Sequence, residues 1–129
     1  MTLRFQAVCS FVSVLCLVLA SVWLIFPELL LNSWGLEHTF SAGVVGRRLA
    51  ALFLGLSFMM VKMRAAPPSS CRTAMADGFA LSCIVLAVLG VVELWFGRVG
   101  PSIGLAVISE LLVAWALVVS VRAEPQSSF

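Results

Sequence analysis

Charge is scarce in this chain. Asp, Glu, Lys and Arg make up 11% of its 129 residues, against about 25% in an ordinary soluble domain. It has a single histidine, and none of its four cysteines forms a Cys-x-x-Cys pair. These shortages exclude whole classes of protein. A soluble chain this short could not hide a composition that is 62% hydrophobic, because too small a share of a small domain is interior. The net charge of +2 comes without a basic patch outside the apolar runs, so nucleic acid is not a partner. No nucleotide-binding glycine loop, zinc signature or nucleophile elbow occurs. No catalytic residue, cofactor or metal is expected.

What is present is four long apolar runs, over residues 5–26, 43–63, 73–96 and 101–121. A helix rising about 1.5 Å per residue needs about 20 apolar residues to cross a hydrocarbon core of about 30 Å. The runs are continuous rather than alternating, which excludes an outer-membrane barrel. The expected fold is therefore all-α, a single transmembrane domain over residues 1–129 with the lipid bilayer as solvent. The first run continues through Val22-Trp23-Leu24-Ile25-Phe26 to Pro27, too long for the core of a cleaved leader, and reads as a retained span.

The connections are short: an outer loop 27–42, an inner loop 64–72, a turn near Arg98 and a polar tail 122–129. Short loops make successive helices antiparallel, giving an up-down-up-down four-helix bundle. Lys62, Arg64 and Arg72 fall in or beside the inner loop, Arg4 precedes span one and Arg122 follows span four, whereas residues 27–42 carry no Lys or Arg. Both termini are therefore expected in the cytoplasm. Arg47 and Arg48, at the outer end of span two, narrow that margin without reversing it. The outer loop mixes leucines and Trp34 with Glu28, Glu37 and His38, as a segment lying in the headgroup zone would. Ser41 is expected to cap span two and Pro101 to open span four.

Small residues at spacings of three and four show which faces meet. Span three carries a helix-packing stripe of Ala76, Ala80, Cys83, Ala87 and Gly90, begun by Thr73. Span two carries Gly43, Ala51 and Gly55, with Gly46 and Ala50 alongside; span four carries Ser102, Ala106, Ala114 and Val118. Spans two, three and four are expected to pack tightly, with span one, rich in Val and Leu, facing lipid. Trp23 and Trp95 suit an aromatic belt and Trp115 a place against the bundle.

Four charges stand out inside the runs: Arg47, Arg48, Glu93 and Glu110. An ionisable group at mid-bilayer costs at least about 2.5–3.5 kcal/mol on insertion scales, so such residues face the bundle and find partners. Arg47 and Glu93 come to similar depths, and an ion pair of Glu93 with Arg47 or Arg48 is expected. Glu110, near the middle of span four, is either protonated and hydrogen-bonded or held ionised by Arg48. Asp77 lies within reach of Lys62, Arg64 or Arg72. The four charges read as staples of helix register or as the lining of a polar cavity. His38 reads as a solvated loop residue and the cysteines as small hydrophobes.

The stretch Phe40 to Leu56, with Gly46-Arg47-Arg48-Leu49-Ala50-Ala51-Leu52-Phe53-Leu54-Gly55-Leu56, resembles the second helix of small uncharacterised bacterial four-helix membrane proteins, DoxX-like ones among them. That resemblance implies a multi-pass protein of the bacterial inner membrane, with a link to respiratory or thiol redox partners. Three functions are carried forward. The first is a non-enzymatic structural or accessory component that binds a membrane-protein partner or forms a homo-oligomer. The second is a small transporter or channel component using the Arg/Glu cluster, and the third a membrane redox subunit.

Overall fold

A computed structural model describes residues 4–125, so the last four residues of the expected tail lie outside it. Five helices follow in order: α1 (Phe5–Ile25), α2 (Pro27–Ser33), α3 (Phe40–Ala65), α4 (Ser70–Trp95) and α5 (Ile103–Ala123). Four of them, all but α2, are long and apolar enough to cross a membrane.

Local chemistry sets the boundaries. Pro27 bars the preceding Phe26 from helical geometry, so α1 stops at Ile25, and the same proline takes the first position of α2. What was expected as a plain outer loop is thus helical over seven residues, burying Pro27 and Leu31. Gly35 then takes φ +72°, and Gly97, after α4, φ +69°; both positions favour a residue without Cβ. The Gly97 turn lets the Arg98 amide close on the Glu93 carbonyl at 3.0 Å. Thr39, not Ser41, caps α3, its hydroxyl accepting from the Ala42 amide at 3.2 Å. Ser69 caps α4 by accepting from the Arg72 amide at 3.2 Å. α4 therefore begins three residues earlier than expected and takes Arg72 out of the loop. Pro101 lies in the turn before α5 rather than in its first turn.

The helices pack chiefly as two pairs, α1 with α3 and α4 with α5, joined by a lighter contact between α1 and α5. This corrects the expectation that spans two, three and four form the tight unit. It also moves span one: 39% of the most apolar stretch of α1 is buried, against 22% for α3, 28% for α4 and 22% for α5. The cause is a line of side chains at helical spacing, Phe5, Val8, Cys9, Val12, Ser13, Cys16, Ala20 and Trp23, all buried. Their small members admit a neighbouring backbone, which packs membrane helices more effectively than apolar bulk does.

The face of α3 turned to α1 is Gly43, Gly46, Ala50, Ser57, Met60 and Met63. Ala51 and Gly55, expected on that seam, are exposed. Trp23 explains the choice: a Cβ on Gly46 would come within 2.8 Å of its ring, so only glycine lets the indole lie there. Lower down, the Ser57 hydroxyl donates to the Ser13 carbonyl at 2.9 Å, and the two hydroxyls are 3.0 Å apart. In the other pair, a Cβ on Gly90 would meet Val107 at 2.7 Å. Ala76, Ala80, Cys83, Ala87 and Gly90 are all buried on α4. On α5 the buried residues are Ile103, Val113, Ala114, Leu117, Ser120 and Val121, with Ala106 and Val118 half-buried beside them.

Two apolar clusters result. The larger joins Phe5, Cys9, Met60, Phe79, Cys83 and Leu117 of all four long helices toward one end, here called the Arg72 end. The smaller, of Trp23, Leu31 and Ala50, lies at the opposite Trp34 end, where Trp34 packs 5.9 Å from Trp23. There the Gly100 amide donates to the Trp34 carbonyl at 2.7 Å, and Ser102 hydrogen-bonds the Ser33 carbonyl. Trp115, expected against the bundle, is exposed, as is Trp95.

Candidate functional site

The four charges inside the long apolar helices come to three separate places. Glu93 turns to Arg98, whose Nη1 lies 3.2 Å from the carboxylate, with the guanidinium 4.9 Å from the Phe96 ring. The partner is local because α3 and α4 are not a packed pair, while the Gly97 turn brings Arg98 back over Glu93. The expected pair of Glu93 with Arg47 or Arg48 is accordingly absent among the described residues. Glu110 is half-buried on α5 between Val107 and Val113. Among the described residues neither a hydrogen bond nor an ion pair reaches its carboxyl group, and Arg48 does not contact it.

Arg47 and Arg48 are both exposed on α3, without an ion pair or hydrogen bond among the described residues. Arg47 is the better placed of the two. One turn before it, Gly43 is buried under the side chains of His38 and Arg47: a Cβ there would lie 3.3 Å from His38 Nε2 and 3.7 Å from Arg47 Nη1. His38 is in turn 4.0 Å from Glu28 of α2. On the other side of Arg47 the same helix face continues as a shallow open groove of about 600 Å³, lined by Ala51, Leu54, Gly55, Ser57, Phe58 and Val61. Nothing lies within 4 Å of where a Gly55 Cβ would be.

Reading the residues alone missed Arg72. It is 5% exposed, its Nη2 paired with Glu124 and its Nη1 donating to the Ala66 carbonyl at 2.8 Å. The guanidinium sits 4.0 Å from the centre of the Phe5 ring, a favourable cation–π distance. One residue thus ties the start of α1, the loop before α4 and the segment after α5. The available signal was Pro67-Pro68-Ser69, a stop followed by a cap, which starts a helix early enough to include Arg72. Nearby, Arg64 Nη1 donates to Ser10 at 3.1 Å, and Arg122 stands 3.8 Å from Asp77. Asp77 thus takes its partner from α5, with which α4 packs, rather than from Lys62, Arg64 or Arg72.

Cys9, Cys16 and Cys83 are buried and unpaired, and Cys71 is exposed and unpaired. Arg47 and Arg48 are exposed without an ion pair or hydrogen bond among the described residues, and the groove lies below Arg47 on the same helix. No protein-family model matches the chain, and neither a curated protein nor a solved structure does.

Proposed function

We propose that the chain is a non-enzymatic accessory protein of a bacterial inner membrane, four spans running up-down-up-down with both termini cytoplasmic, which docks within the bilayer through the outward face of α3. Arg4, Lys62, Arg64, Arg72 and Arg122 gather toward the end that carries the two termini, in favour of that orientation. One observation carries the docking role: Ala51 and Gly55 are exposed in the middle of a helix on which Gly43, Gly46 and Ala50 are buried against α1 and His38. Small residues on a membrane helix permit close approach, and here that capacity is left open. The test is a photocrosslinking residue at Ala51, compared in native membranes with one at Gly104, another position with nothing within 4 Å. A defined adduct at 51 and none at 104 supports the reading; equal, diffuse labelling at both rejects it.

Glu110 favours a second reading, the small transporter. A carboxyl group near the middle of α5 with no described partner is a functional residue by default in a membrane. Against it stands the dispersal of the four charges to three separate places among the described residues. Glu110→Gln decides: a transporter loses proton-coupled flux in liposomes while remaining folded, whereas an accessory protein keeps its crosslink at Ala51. The redox reading would be supported by copurification of a quinone, haem or thiol partner.

A further inference from the structure

We propose that the outward face of α3 is a binding site for one membrane phospholipid, its phosphate held at Arg47 beside His38 and one acyl chain laid along the upper part of the groove, from Ala51 to Gly55. This rests on the docking reading of α3 and names the occupant.

Arg47 lies seven residues into α3, about 10 Å below its start. That is near enough to the interface for its side chain to rise to headgroup level. The guanidinium is always charged and has no anion among the described residues. Its planar fork of donors matches a phosphate. At Gly43 the absent side chain lets His38 Nε2 and Arg47 Nη1 converge on one patch of backbone, 3.3 Å and 3.7 Å from the Cβ position. Glu28, 4.0 Å from His38, gives the patch a negative side as well. Both signs together suit a headgroup that is itself zwitterionic, phosphate toward Arg47 and amine toward Glu28.

The groove supplies the apolar half. Ala51, Leu54, Gly55, Phe58 and Val61 follow Arg47 at four, seven, eight, eleven and fourteen residues, which keeps them on one face. Ala51 and Gly55 lie about 6 and 12 Å below Arg47 along the helix, within the about 15 Å depth of one leaflet, half of a hydrocarbon core of about 30 Å. A lipid with its phosphate at Arg47 has its chain where the groove runs. A second copy packed about a two-fold axis on this face would set Arg47 against Arg47 at equal depth, a like-charge contact that a lipid avoids.

The full-length protein, purified in detergent and titrated with palmitoyl-oleoyl phosphatidylethanolamine, is followed by native mass spectrometry. One bound lipid is expected at saturation. Arg47→Gln should weaken it about tenfold, the loss of one charge-assisted hydrogen bond, and Gly55→Leu, which fills the groove, should weaken it comparably. Arg64→Gln, the same charge change at the other end, should leave binding unaltered, and dioleoylglycerol, which lacks the phosphate, should not bind. Parent-like binding by Arg47→Gln, or equal binding of dioleoylglycerol, overturns the proposal. If Arg47→Gln does not purify as a single species, parent-like binding by Gly55→Leu overturns it instead. The Ala51 crosslinker separates the two readings. A lipid adduct supports both, a protein adduct alone overturns the lipid and leaves docking standing, and no adduct rejects both.

Discussion

The two ends of the molecule handle their charges in opposite ways. At the Arg72 end each of Arg72, Arg64, Arg122, Asp77 and Glu124 contacts another segment, and the larger apolar cluster lies alongside. At the Trp34 end the packing is done by indoles, a glycine and backbone hydrogen bonds; its charge contacts are local, Glu93 with Arg98 and His38 with Glu28, and Arg47 and Arg48 remain open. A charge held in a buried pair stiffens a structure because breaking the pair strands its partner. A charge left open costs the fold nothing to change and stays available to something else. The first end is built to hold, the second to meet.

That contrast can be broken most directly at Glu124. Glu124→Ala leaves Arg72 buried and unpaired, and we expect a loss of about 3 kcal/mol, read as a lowered midpoint in detergent unfolding. Arg47→Ala should change stability by no more than about 0.5 kcal/mol in the same assay. Equal losses would erase the distinction between the ends. Next come the glycines. Gly46→Ala forces a contact of 2.8 Å on Trp23 and Gly90→Ala one of 2.7 Å on Val107; overpacking of this kind costs about 1–3 kcal/mol. The Ser13–Ser57 contact is smaller, and Ser57→Ala should lose about 0.6 kcal/mol, typical of a hydrogen bond between membrane helices. Smallest, and of opposite sign, is Gly55→Ala, where open space and better helix propensity predict a gain of about 0.5 kcal/mol. Destabilisation there would mean that α3 already has an occupant in the preparation.

The four long helices were legible because each is a continuous apolar run of about 20 residues or more, long enough to cross a membrane. Span three's small stripe was legible too, since five small residues at three- and four-residue spacing leave one face to choose. Span two was not. Gly43 belongs to two lines at once, one through Ala51 and Gly55, the other through Gly46, Ala50 and Ser57, and periodicity cannot rank them. What ranks them is Trp23 on another helix, which needs a glycine beneath its ring. Span one was misjudged for a related reason: Val and Leu dominate its composition, but Cys9, Ser13, Cys16 and Ala20 decide its face. The charges were mispaired because matching depth says nothing about which helices are neighbours. Arg98 and Arg122 found their acids through a glycine turn and a shared helix pair.

Each of those pairs is made of consecutive spans, α1 with α3 and α4 with α5, and this has a consequence for biogenesis. The first pair can complete its glycine-to-indole contact before the second has left the ribosome, and the second can close Gly90 on Val107 from its own residues. Contacts between near neighbours in sequence form quickly and carry little risk of mispairing. The chain should therefore tolerate a cut between Ala66 and Ser69, each piece inserting as a hairpin and the two halves recombining through Phe5, Arg72 and Leu117.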